Sequence, residues 1–202
     1  MMRKITKAAI AAAICLGTTA AFADHAYIAY DDQENMVLSG PFNAVIPKPE
    51  GARTGGPEHS SESFLDEKLK ISKAGYFADD RFVMVQVETT NGAPGTLTTE
   101  NLPVYEIAGE EFRARTQCVE ISQEELDSDS DPLFEFIETH NVQIVPAVQA
   151  IQLMVATDDG TGQGTILYMR NVAGGCDSMS TEFENEFHAA FERFVESIRA
   201  AN

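Results

Sequence analysis

Two long apolar segments, residues 142–156 and 164–172, lie on either side of the sequence Asp158-Asp-Gly-Thr-Gly162. Both segments carry apolar residues at odd and at even positions, so an extended strand built from either would be apolar on both faces. Such strands belong in the middle of a sheet that is covered on both sides. An Asp-Gly turn between two such strands is typical of a β-hairpin. The sequence therefore predicts a hairpin at the centre of a covered sheet.

The C-terminal segment has the pattern of an amphipathic helix. Thr181 is the predicted N-cap, and Glu184 three residues later completes a capping box. Apolar residues then recur at spacings of three and four, which places them on one helical face. A stripe of phenylalanines can form a ligand box, but packing against a sheet is the commoner use of such a stripe. The stripe consists of Phe183, Phe187, Ala190, Phe191, Phe194 and Ile198.

The remaining elements are shorter. Asp131-Pro132 predicts the start of a helix, since aspartate suits the N-cap and proline the first helical position. Residues 51–63, rich in Gly, Pro and Ser, predict a mobile surface loop. Together these features predict an α+β fold: a single domain, an antiparallel β-sheet covered by helices, with a long C-terminal amphipathic helix. Further strands are predicted at 36–38 (an edge strand), 42–46, 68–72, 81–90, 104–107 and 112–121.

The first 23 residues have the pattern of an export signal. Arg3, Lys4 and Lys7 precede an apolar run too short to span a bilayer, and Ala21-Phe-Ala23 is a small-x-small cleavage motif. We therefore expect residues 1–23 to be a cleaved signal peptide and residues 24–202 to form the single mature domain. The expected location is an oxidising compartment, a bacterial periplasm above all.

The mature chain is strongly acidic. Beyond the signal it keeps 11 basic and 32 acidic residues, a net charge of −21. Such a surface repels phosphate backbones and anionic lipid, so we expect no nucleic acid partner, and no later segment is apolar enough for a membrane span. One interpretation is that the acidity serves solubility alone. Otherwise the expected partner is a cation or an unknown, basic protein.

Only Cys118 and Cys176 remain after cleavage. In an exported chain, two cysteines most simply form one structural disulfide. A redox or metal pair is the alternative. The sequence has no C-x-x-C, however, and neither cysteine has a nearby basic residue that would lower the pKa of its thiol.

A calcium hypothesis rests on the spacing of acidic residues. Asp127, Asp129, Asp131 and Glu138 occupy positions one, three, five and twelve of a calcium loop, which could supply the oxygen ligands of Ca²⁺. Pro132 stands where such a loop needs a glycine that can make a sharp turn. The alternative is a polar loop in which Asp131 caps the following helix, and this alternative explains the proline.

A copper hypothesis rests on the new N-terminus. Cleavage after Ala23 would place His25 second, and an α-amine, an amide and an imidazole in sequence suit copper(II). A frayed terminus with an idle histidine is the alternative. No motif for zinc, a serine hydrolase, a phosphate loop or a dinucleotide is present.

The order of elements resembles that of the PsbP-like proteins, which are exported or lumenal α/β/α sandwiches. The resemblance rests on residues 42–47 followed by Gly51, on the hairpin within 142–172, and on Phe191-Glu-Arg-Phe-Val-Glu-Ser-Ile198. The absence of tryptophan departs from the family pattern. The resemblance implies an accessory, non-enzymatic role beside a larger complex.

Three functional hypotheses follow. The first is an exported, soluble, non-catalytic binding or accessory protein, whose loops at 51–63 and 124–131 meet the partner. The second is a divalent-cation protein that binds calcium or copper. The third is a hydrolase whose nucleophile and base meet only in the folded chain.

Overall fold

A computed structural model of the chain describes residues 26–64, 67–90, 102–107, 109–128 and 132–202. The described strands form a three-stranded and a seven-stranded sheet, and every strand pair is antiparallel. The small sheet has the order β1-β2-β3 and the large sheet the order β4-β5-β6-β10-β9-β8-β7. The strands are β1 (Ile28–Tyr30), β2 (Met36–Leu38), β3 (Ala44–Ile46), β4 (Arg53–Phe64), β5 (Glu67–Phe77), β6 (Arg81–Thr90), β7 (Val104–Ile107), β8 (Glu110–Glu120), β9 (Ala147–Ala156) and β10 (Gly162–Asn171).

The helices are few, so the described chain is a mostly antiparallel β structure of the α+β kind that forms one compact unit. They are α1 (Gln123–Ser128), α2 (Pro132–Thr139) and α3 (Thr181–Ala201), with a 3₁₀ turn at Cys176–Ser178 before α3.

The predicted central hairpin is confirmed. β9 and β10 pair with each other and occupy the middle of the large sheet. Ile151 and Leu153 of β9 pack into the core on one face, and Val148 and Ala150 pack into the core on the other. Residues 142–146 were wrongly predicted as part of the first strand. The strand begins after Pro146, which has no N–H to donate to a neighbouring strand.

The C-terminal helix covers one face of the large sheet, as its apolar stripe predicts. Phe187, Phe191, Phe194 and Ile198 are buried in a core shared with the odd-numbered valines of β6 and with the small sheet. Tyr168 of β10 lies beneath them, with 5.5 Å between its ring centroid and that of Phe187.

The predicted N-cap is wrong by one residue. Ser180 caps α3: its backbone is extended, and its Oγ accepts a hydrogen bond of 3.2 Å from the N–H of Phe183. Thr181 is the first helical residue. Ser180 and Thr181 are both chemically suitable caps, so the sequence alone could not choose between them.

The small sheet packs on the same face as α3. β2 was predicted as an edge strand, but it lies between β1 and β3. The hydroxyl of Tyr76, on β5 of the large sheet, ties the two sheets together. It accepts a hydrogen bond from the N–H of Met36 and lies 2.9 Å from the carbonyl oxygens of Glu34 and Ile46.

The other face of the large sheet is covered by α2. Phe136 and Ile137 pack against Phe77, Met84 and Leu167 in a second buried cluster. α1 was not predicted; Ser122 and Glu125 form a capping box at its start, with the Ser122 N–H 2.8 Å from the Glu125 carboxylate.

Residues 51–63 were predicted as a mobile loop, and this prediction is wrong. Most of the segment forms β4, which pairs with β5 at one edge of the large sheet. The register shifts between Gly55 and Glu58, where Pro57 follows a cis peptide bond. A proline is tolerated at such an edge because it need not donate a hydrogen bond there.

Candidate functional site

A cleft of about 400 Å³ opens between α3, the segment 47–52 and the adjoining ends of β5, β6 and β10. Its volume lies within the range of known small-molecule sites. Four separate parts of the chain contribute to the lining, which consists of Pro47, Lys48, Pro49, Glu50, Ala52, Tyr76, Ala78, Arg81, Phe82, Val83, Tyr168, Ala190, Arg193, Phe194 and Ser197.

Local sequence explains how two of these walls form. On α3, Ala190, Arg193, Phe194 and Ser197 recur at spacings of three and four, so they share one face beside the buried stripe. After β3 the chain turns away from the sheet, and the Ala52 N–H donates a 3.1 Å hydrogen bond to the Pro49 carbonyl. This turn brings Lys48 and Glu50 opposite α3 at the mouth of the cleft.

The inner wall of the cleft is apolar and aromatic. Tyr76, Val83, Tyr168 and Phe194 all belong to the buried core and also line the cleft. These side chains are held by packing on the sheet, so the wall is formed before any ligand arrives. A wall of this kind supplies apolar burial to a bound molecule.

Tyr168 adds a polar group to this wall. The residue is only 5% exposed, and its hydroxyl makes no hydrogen bond to any other residue that the structure describes. Among the described side chains, the polar atoms that are both buried and unpaired are His140 Nε2 and Gln149 Oε1. The Tyr168 hydroxyl is not one of these two, so it is not sealed from solvent, and Tyr168 is one of the residues that line the cleft. It is therefore available to hydrogen-bond a ligand.

The mouth of the cleft is cationic. Lys48, Arg81 and Arg193 line it, with Glu50 as the opposing acid. The chain has only 11 basic residues beyond the predicted signal, so three at one cleft is a marked concentration. A concave surface lined by one sign of charge attracts molecules of the opposite sign.

The three cations differ in their availability. Lys48 Nζ lies 2.5 Å from the Glu34 carboxylate, and Arg81 Nε lies 3.7 Å from that of Asp80. Arg193 is exposed and makes no ion pair with any residue in the described ranges. Arg193 is therefore the cation most free to pair with a ligand.

No protein-family model matches this chain, and no curated protein or solved structure shows significant similarity to it. The resemblance to the PsbP-like proteins therefore stays a prediction.

The predicted disulfide is confirmed. Cys118 on β8 and Cys176 at the start of the 3₁₀ turn are bonded, with 5.9 Å between their Cα atoms. The bond fixes the segment that leads into α3 against the large sheet. Since α3 forms one wall of the cleft, the disulfide also supports the position of that wall.

The calcium hypothesis stays a prediction. Asp127 falls within α1 and Glu138 is an exposed residue of α2, whereas Asp129 and Asp131 lie outside the described residues. Within the described ranges, no group of three or more His, Cys, Asp or Glu side chains could hold a metal ion. His25, the proposed copper ligand, also lies outside the described residues.

One serine and histidine pair does meet in the fold, as a hydrolase would require. His59 Nδ1 lies 2.8 Å from Ser72 Oγ across the β4–β5 pair. Ser72 is fully buried, however, and its Oγ also accepts a hydrogen bond of 3.1 Å from the Tyr27 N–H. Neither residue lines the cleft. In this position the Ser72 hydroxyl links β5 to His59 of β4 and to the Tyr27 backbone, and the hydrolase hypothesis stays a prediction.

Sequence reasoning missed the cleft residues. Lys48, Arg81, Tyr168 and Arg193 belong to four elements, and no local pattern connects them. The one available signal was the scarcity of basic residues in an acidic chain, which makes each of them worth locating.

None of the helices in the described ranges has the length and apolar character that a membrane span requires.

Proposed function

We propose that this is an exported, non-catalytic binding protein and that the cleft beside α3 is its ligand site. The observation that carries the proposal is Tyr168, a buried residue that lines a cleft of about 400 Å³ and whose hydroxyl is unpaired among the described residues. A tyrosine hydroxyl can both donate and accept a hydrogen bond, and this one spends neither capacity on another described residue. A hydroxyl kept at the wall of a cleft is therefore suited to pairing with a ligand.

The chemistry of the lining supports binding over catalysis. Its polar groups are the three cations, Glu50, Ser197 and the tyrosine hydroxyls. Ser197 Oγ already donates to the Phe194 carbonyl at 2.7 Å, and Tyr76 is hydrogen-bonded to the small sheet. The groups left over can orient a ligand and neutralise its charge.

Export supports the same proposal. The N-terminal pattern of a positive region, a short apolar run and Ala21-Phe-Ala23 is that of a cleaved signal, and the disulfide suits an oxidising compartment. The resemblance to the PsbP-like proteins further implies an α/β/α sandwich and an accessory role beside a larger complex.

The test uses the mature protein purified from a periplasm and a small-molecule extract of the same compartment. We expect the extract to raise the melting temperature of the wild type, since a ligand that binds only the native state stabilises it. Ala190→Trp, which fills the cleft from α3, should abolish the shift. Ala200→Trp, on an exposed position of the same helix outside the cleft, should retain it.

A second blocking variant guards against misfolding. Ser197→Trp fills the cleft from a second half-buried position of α3, so it should also abolish the shift while keeping the wild-type circular dichroism spectrum. Equal shifts in the wild type and in both blocked variants would refute the cleft as the ligand site. Mass spectrometry of the secreted protein tests export, because a mature chain should begin at Asp24.

A further inference from the structure

We infer that the ligand of the cleft is a small organic anion with an apolar body, such as an aromatic or medium-chain carboxylate. This inference rests on the proposed function, and it adds the chemical class of the ligand. It follows from the way charge and apolar surface are separated between the mouth and the inner wall of one cavity.

The cations at the mouth of the cleft indicate where the anionic end of the ligand binds. Three cations and one acid line the cleft of a chain that is otherwise strongly acidic. Lys48 and Arg81 are already paired with acidic residues outside the lining, so they contribute less than Arg193 does. Arginine is the side chain best suited to a carboxylate, because its planar guanidinium can donate two parallel hydrogen bonds. Arg193 is the arginine that has no ion pair among the described residues.

The inner wall of the cleft indicates where the apolar end of the ligand binds. Tyr76, Val83, Tyr168 and Phe194 present side chains that are at most 7% exposed. A fully hydrated inorganic anion would gain nothing from such a wall. An anion with a hydrocarbon or aromatic portion would bury that portion there and leave its charge at the mouth.

The acidic surface of the rest of the protein strengthens the preference for an anion at the cleft over other places on the surface. Outside the cleft, the net negative charge repels anions, so an anion binds favourably only where cations are concentrated. Small cations find many carboxylates on the rest of the surface and would gain no preference for this cleft. The cleft is thus the place where an anionic molecule is discriminated from a neutral one.

The test compares ligands that differ in one property at a time, by isothermal titration calorimetry on the mature protein. 2-Naphthoate and octanoate have both charge and apolar body, their amides keep the body without the charge, and acetate keeps the charge without the body. We expect at least one of the two acids to bind at least tenfold more tightly than its amide, since a charge-assisted hydrogen bond is worth more than a neutral one. Acetate should show no binding at the same concentrations.

Matched variants locate the anion. Arg193→Gln should weaken binding of the acid at least tenfold and leave its amide unchanged. Arg115→Gln removes the same charge from an exposed position of β8 that does not line the cleft, and it should leave both affinities unchanged. Added NaCl should weaken binding of the acid more than binding of the amide, because salt screens the attraction between charges.

The outcomes separate the two proposals. Equal binding of acids and amides, lost in Ala190→Trp, would overturn the anion inference and leave the cleft as a ligand site. Failure of both acids to bind would also overturn it, and the extract experiment would then decide the proposed function by itself. An effect of Arg115→Gln as large as that of Arg193→Gln would overturn it too, because the attraction would then come from overall charge.

Discussion

The imidazole of His140 lies against the phenyl ring of Phe77, with 4.5 Å between the ring centroids and 23° between the ring planes. Phe136 meets the same imidazole edge-on at 4.8 Å, so His140 is enclosed by aromatic side chains on two sides. Gly55 lies on a third side, where a Cβ would come within 2.6 Å of the His140 ring. A helix C-terminus normally favours the positive charge of a histidine, but the fold buries the Nε2 of His140 without a partner among the described residues.

The pH dependence of stability should report this burial. Loss of hydration lowers the pKa of His140 from 6.5, against the attraction of Glu58 and together with the repulsion of Arg53. Because the folded state binds this proton less well than the unfolded state, protonation favours unfolding. The stabilising contribution is complete above pH 6.5 and is lost as the pH falls through the lowered pKa.

We therefore expect the free energy of unfolding to fall as the pH is lowered below 6.5, measured by urea denaturation. His140→Phe keeps the aromatic packing and should make this part of the profile flatter. His188→Gln changes an exposed histidine and should leave the profile as it is. A profile for His140→Phe as steep as that of the wild type would contradict this explanation.

The cap of α3 gives a test that distinguishes two adjacent residues. Ser180→Ala removes the acceptor of the Phe183 N–H and should lower the free energy of unfolding by about 1 kcal/mol. Thr181→Ala changes an exposed residue inside the first turn and should alter stability by no more than a few tenths of a kcal/mol. Urea denaturation of both variants decides the matter, and a larger loss in Thr181→Ala would restore the capping box that the sequence predicted.

Local patterns account for the parts of the fold that could be predicted. β6 spans Arg81–Thr90 as predicted, and its valines and its Phe82 and Met84 face opposite sides, because period-two alternation is visible in the sequence. The central hairpin and α3 likewise carry their own periodicity. β4 does not: its Gly, Pro and Ser residues are typical of a loop, and only the pairing with β5 makes the segment a strand.

The site could be predicted only where it depended on composition. The disulfide followed from counting, since only Cys118 and Cys176 remained beyond the signal. The cleft depends instead on how α3 packs beside residues 47–52. That packing brings Arg193 near Lys48, and no spacing along the chain encodes it.

The disulfide should contribute strongly to stability. It joins residues 58 positions apart, and the chain-entropy model gives about 4 kcal/mol for closing a loop of this length in the unfolded state. Replacing Cys118 and Cys176 together by alanine should lower the free energy of unfolding by up to that amount. Dithiothreitol should destabilise the wild type similarly and leave the double variant unchanged. A double variant as stable as the oxidised wild type would contradict the prediction.

The hydroxyl of Tyr76 should stabilise the contact between the two sheets. Burial raises the pKa of Tyr76 above its ordinary value, so the hydroxyl stays protonated at any physiological pH. It accepts from the N–H of Met36, a residue with no exposed surface. Tyr76→Phe leaves that N–H buried without an acceptor, which should lower the free energy of unfolding by about 1–3 kcal/mol, measured by urea denaturation.

The control is Tyr105→Phe, which removes a hydroxyl from an exposed residue of β7 and should change stability by no more than a few tenths of a kcal/mol. Hydrogen exchange adds a local measurement: in Tyr76→Phe the Met36 amide should exchange faster than the amides of β9. Equal losses in the two tyrosine variants, with unchanged protection of Met36, would show that the two sheets are held together by apolar packing alone.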